Sequence, residues 1–173
     1  DSGRCGIWQI ASLEFENPDN YFLEEARIDD NDEITEEALK VIGKTEQELR
    51  EKGKQSQKQL ILNYLEWRKT CKDKITSGQN AGWDVSFIQN KCIRCGIHDR
   101  FREVMGQRTI DLHTLAQERY WMLNNGGYLL KENGNSDMNL AKILEICGIP
   151  DKRIKISGNK IEDKDYMENY IPK

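Results

Sequence analysis

The chain has little of what a secreted, membrane-bound or strongly polyanion-coating protein needs. Its cysteines number five, an odd count, and no Asn-x-Ser/Thr acceptor occurs. The first residues show no charged-then-apolar leader, so a disulfide-framed secreted domain is not indicated. No apolar run approaches the roughly 20 residues of a membrane-spanning helix. A reducing, cytoplasmic setting without a membrane partner is the expectation. A basic excess is missing too: 26 Lys and Arg stand against 30 Asp and Glu, for a net charge of −4. That is the wrong sign for gripping a phosphate backbone by bulk electrostatics. Nucleic acid could still be held through divalent cations on carboxylates, with a few local Lys or Arg residues guiding it. Histidines are scarce, and the two present, His98 and His113, read as surface or helix-packing residues.

What is present is enough for one core: 173 residues, 37% of them hydrophobic. No repeat, low-complexity tract or linker interrupts the chain, so residues 1–173 are expected to form a single domain. Residues 7–15 and 21–28 are strand-like, and Asn17-Pro18-Asp19-Asn20 between them has turn chemistry, which predicts a hairpin. Thr45 and Glu48 are spaced as a capping box. Over 59–69, Leu60, Ile61, Tyr64, Leu65 and Trp67 make an apolar helical face. Short strands are predicted at 75–78 and 108–112, and helices at 84–95, 112–123 and 139–147. Gly-rich and Asn-rich clusters break the chain between the last two helices. The order is that of an α/β domain.

The most informative string is Ser77-Gly78-Gln79-Asn80-Ala81-Gly82-Trp83-Asp84-Val85-Ser86-Phe87-Ile88. A strand there gives way to a polar turn and delivers Asp84 onto the first turn of a helix, where the helix dipole favours an ionised carboxylate. It resembles the Asn-x-x-[Phe/Trp]-Asp-x-x-Phe-[Leu/Ile] signature of the DEDD family of 3′-to-5′ exonucleases. Other segments resemble that family in the same order: Gly6 to Phe15 its second strand, Ile34 to Leu49 the stretch after its third strand, Thr109 to Ala116 its fifth strand and helix, and Asn139 to Pro150 the helix before its last signature.

The resemblance implies a ribonuclease H-like α/β fold, a five-stranded mixed sheet with helices on both faces. It implies a DEDDh-type enzyme that removes nucleoside monophosphates from the 3′ end of single-stranded DNA or RNA with two Mg²⁺ or Mn²⁺ ions. Four carboxylates from distant segments would hold those ions, and a histidine would take the proton from the attacking water. By the same resemblance Asp84 and Asp163 would be metal ligands, with Asp165 next in line. Ser2, Gly3, Asn80, Trp83 and Phe87 would contact substrate. Asp111 would close a strand-to-helix turn. A DNA polymerase or a repair or processing protein would be a partner.

The match has gaps. Asp1-Ser2-Gly3 looks like the end of the family's Asp-x-Glu signature, whose two acids would precede residue 1, so the strand carrying them is expected upstream. Gly158-Asn159-Lys160-Ile161-Glu162-Asp163 keeps the spacing of the last signature, but Gly158 stands where the histidine belongs and Lys160 where a small residue belongs. The other reading is therefore a catalytically impaired ribonuclease H-like domain that binds nucleic acid or serves as a scaffold. Cys92 and Cys95 have the spacing of half a zinc site, yet no second close pair completes it. With Ile88 they fall at helical spacing, which predicts packing in the core instead.

Overall fold

In a computed structural model the described residues are 3–106 and 108–151, with the backbone of 156, 157, 160 and 161. They divide into two compact units, one of Asp1–Asp73, Phe87–Val104 and Arg153–Lys173, the other of Lys74–Ser86 and Met105–Lys152.

The first unit begins with an antiparallel hairpin of β1 (Gln9–Glu14) and β2 (Asn17–Glu25). Pairing runs from Gln9↔Glu25 to Leu13↔Tyr21 and then shifts, so that Glu14 meets Asn17. Residues 15 and 16 form the turn, rather than the predicted Asn17 to Asn20. Asn20 is held elsewhere: its Nδ2 donates to Glu14 Oε2 at 2.9 Å and its Oδ1 accepts from Trp67 Nε1 at 2.8 Å. Strand alternation buries Ile10 and Phe22 and leaves Leu13, Tyr21 and Leu23 outside.

Two short helices follow. α1 (Glu36–Ile42) is capped by Thr35 and ended by Gly43 at φ 66°, a left-handed angle that glycine adopts without strain. α2 (Glu46–Leu49) carries the Thr45 and Glu48 capping box. Ser56 then caps α3 (Gln57–Thr70), whose stripe of Gln57, Leu60, Ile61, Tyr64, Leu65 and Arg68 is buried. Each large apolar side chain so covered contributes roughly 1.5–3 kcal/mol. Phe22, Tyr64 and Trp67 pack together, with Tyr64 stacked on Trp67 at 5.7 Å. α4 (Ala81–Arg94) adds Phe87, Ile88 and Cys92 to the buried set, and α5 (His98–Val104) adds Phe101 and Val104. Burial and the neighbouring Cys95 push the Cys92 thiol up to about 12, so it packs as a neutral side chain.

The polar centre of this unit is Asp32, whose side chain is wholly withdrawn from solvent. Its Oδ1 accepts from Lys91 Nζ at 2.9 Å and Arg94 Nη2 at 3.1 Å, and its Oδ2 from Gln57 Nε2 at 2.6 Å and Asp29 N at 2.9 Å. Gln57 in turn accepts from Ile7 N at 2.6 Å. Burial raises the Asp32 carboxyl, but the Lys91, Asp29 and Gln57 hydrogen bonds and the Lys91 charge outweigh it and hold it below the usual range.

In the second unit β3 (Thr76–Gly78) and β4 (Thr109–Asp111) pair in parallel, Thr76 with Thr109 and Gly78 with Asp111. α6 (Leu112–Leu123) follows β4 directly with Asp111 as its cap, and α7 (Leu140–Ile146) is capped by Asn139. Ala116, Met138 and Ile143 form a small core with Tyr120, Leu129, Leu140 and Ile146 around it.

The five-stranded ribonuclease H-like sheet is not there. Every sheet among the described residues has two strands: β1 with β2, β3 with β4, and β5 (Ile156–Ser157) with β6 (Lys160–Ile161). The residues between β2 and β3 are spent on helices and irregular chain. Among the described residues nothing therefore joins hairpin and parallel pair into one sheet with helices on both faces. No helix among them is long and apolar enough to cross a membrane.

Candidate functional site at the turn from β3 to α4

Parallel strands present their carboxyl ends on one side, which is where α/β proteins place reactive groups. β3 ends at Gly78, and two residues later Asn80 turns the chain at φ 60°. Asparagine tolerates this left-handed angle better than other side-chain-bearing residues. Asn80 O then accepts from Trp83 N at 2.9 Å as α4 begins.

Asp111 fastens this turn from the neighbouring strand. Its Oδ1 accepts from Asn80 N at 2.8 Å and from His113 N at 3.1 Å, and its Oδ2 accepts from Thr114 Oγ1 at 3.0 Å. Slight burial raises the Asp111 carboxyl, yet the hydrogen bonds from Asn80, Thr114 and His113 bring it below its ordinary value. One carboxylate thus caps α6 and positions the turn before α4. The expected structural role of Asp111 is visible in these contacts. The long-range bond to Asn80, across 31 positions, has no signal in the sequence.

Asp84 lies in the first turn of α4 and is exposed. Partial burial of the carboxyl nevertheless raises its pKa, with a smaller opposing contribution from its own backbone N–H. The direction is opposite to the one that helix-dipole reasoning gave, and loss of hydration is its leading cause. Among the described residues no ion pair involves Asp84. Beside it Trp83 exposes 53% of its surface.

The turn therefore brings together Asn80, Trp83 and Asp84. Phe87 does not join them at the surface: it is buried, so its place is in the packing of α4. Gly3 is an exposed turn residue of the first unit, its carbonyl accepting from Arg94 Nη1 at 3.4 Å. Ser2, Asp163, Asp165, Gly158 and the side chain of Lys160 lie outside the described residues. Among the described residues no three His, Cys, Asp or Glu side chains gather as a metal-holding group.

Compared with known proteins, the chain matches no family model and no curated protein. The likeness to DEDD exonucleases accordingly rests on the motifs quoted above.

Proposed function

We propose that this chain serves a divalent-metal-dependent 3′-to-5′ exonuclease acting on single-stranded DNA or RNA and releasing nucleoside monophosphates. The observation that carries the reading is the turn from β3 to α4: Asn80, Trp83 and Asp84 stand at the carboxyl end of a parallel strand, in the order of the resembled signature. The donor chemistry at Asp84 suits Mg²⁺ or Mn²⁺, since it is a hard oxygen ligand, exposed, and penalised by burial in a way that a cation would relieve. Asp163 would be its fellow ligand.

A bound divalent ion would supply Lewis-acid activation of the phosphodiester and of water. Asp84 would hold its carboxylate toward that ion from a rigid helix start. The exposed Trp83 ring offers a face on which a terminal base can stack, worth about 1–3 kcal/mol. Asp111, bonded to Asn80 N, would keep the turn from drifting as substrate enters and leaves.

The test is a ladder assay on single-stranded oligonucleotides labelled at the 5′ end, using protein that contains these 173 residues. Shortening from the 3′ end should require Mg²⁺ or Mn²⁺ and stop with a chelator. Asp84→Asn should reduce it at least about a hundredfold, the scale on which an essential electrostatic contact acts. Metal-dependent digestion that persists in Asp84→Asn would remove Asp84 from the site.

A further inference from the structure

Ser136 Oγ sits among three partners in the second unit: Gln117 Nε2 at 2.6 Å, Met138 N at 3.1 Å and His113 Nε2 at 2.8 Å. The orientation of the Gln117 amide follows from its other bonds. Leu129 N can only donate, and it reaches Gln117 Oε1 at 3.1 Å, while Gln117 Nε2 also donates to Leu129 O at 2.9 Å. The Gln117 nitrogen therefore donates to Ser136, and Met138 N can do nothing else. A hydroxyl has two lone pairs and one proton. With both lone pairs taken, the Ser136 proton is left for His113 Nε2, an arrangement that requires a neutral imidazole with its own proton on Nδ1.

This arrangement fails when the imidazole is protonated. Nε2 then carries a hydrogen, Ser136 Oγ faces three donors with two lone pairs, and its own proton loses its acceptor. At least one contact has to open. The contacts of His113 and Gln117 tie the segment from Leu129 to Met138 to α6, and the Leu130–Ser136 bridge and the bond from Asp137 N to Leu129 O at 3.0 Å close that segment on itself. We propose that His113, Ser136 and Gln117 form a proton-sensitive latch, closed on this segment when His113 is neutral and released when it is charged.

The charged groups around the latch come from three elements. Asp111 at the cap of α6 interacts electrostatically with His113. In the segment itself stand Lys131, Glu132 and Asp137, and Asp137 feels the charge of Lys142 on α7.

Two measurements on the intact protein test the latch. Nitrogen-detected NMR of the His113 ring should show an unprotonated Nε2 at about pH 7.5, and finding the proton on Nε2 would overturn the proposal. Hydrogen exchange of the Leu129 and Met138 amides, corrected for the intrinsic pH effect, should lose about fivefold in protection on going to about pH 5.5, the net worth of one hydrogen bond. His113→Gln keeps an acceptor without a titrating ring and should abolish that loss, whereas His98→Gln should leave it intact. Equal pH dependence in wild type and His113→Gln would overturn the latch as well.

Discussion

Two aspartates show how opposite environments make opposite predictions. Asp32 is held ionised by four donors within its buried pocket, so its carboxylate stabilises the fold at pH values above the ordinary carboxylate range. That contribution fades as pH falls through the depressed Asp32 value. Asp32→Asn strands the buried Lys91 ammonium and should cost about 3–5 kcal/mol at neutral pH. Urea titrations across a pH series should show the deficit shrinking in acid. Asp84 is the reverse case. Its pKa is raised on folding, so it favours the native state most below the unfolded carboxylate value and loses that contribution as pH rises through the folded one. Asp84→Asn should therefore hold or raise Tm at neutral pH. A drop of more than about 4 °C would give the side chain a structural role.

At the scale of elements, the cap of α6 and the close approach at Gly6 set the limits. Asp111→Ala removes a helix cap and frees Asn80 N together, which should cost about 1–2 kcal/mol by thermal melting. A Cβ added at Gly6 would lie 2.6 Å from Ile28 Cγ2 and 2.7 Å from Asp32 Oδ2. Gly6→Ala should lose at least about 1–3 kcal/mol in the same measurement. The helices were legible where local chemistry decides them. Residues 112–123 match α6, with Asp111 capping its start and Asn124 its end, and Thr45 with Glu48 form the box that their spacing implied. The two short strands were legible as well, β3 being closed by the turn at Asn80 and β4 by the Asp111 cap of α6. Their pairing was not, since β3 and β4 meet across 33 positions, as Thr76 with Thr109. The five-stranded sheet failed at this point: local pattern finds strands but does not choose their neighbours. At the candidate site, Asp84 at a helix start was legible. Its raised pKa was not, because hydration depends on surroundings that the sequence does not display.

For the whole molecule the surplus of acidic residues bears on the proposed binding of single-stranded nucleic acid. With 26 Lys and Arg outnumbered by 30 Asp and Glu, for a net charge of −4, the chain has no basic excess to displace counterions. The proposed association with single-stranded oligonucleotides should thus weaken with salt at a log–log slope shallower than about −2, equivalent to fewer than three neutralised phosphates. Binding assays in a chloride series would measure it, and a steeper slope would call for a basic track along the chain. The four tryptophans are also divided, Trp8 and Trp67 falling in the first unit, Trp83 and Trp121 in the second. Trp67 stacks on Tyr64 and donates to Asn20, while Trp83 is half open to water. Each unit consequently carries its own optical label. Variants keeping only Trp67 or only Trp83 would emit at different wavelengths, and the spacing of their denaturation midpoints would show directly whether the chain melts once or twice.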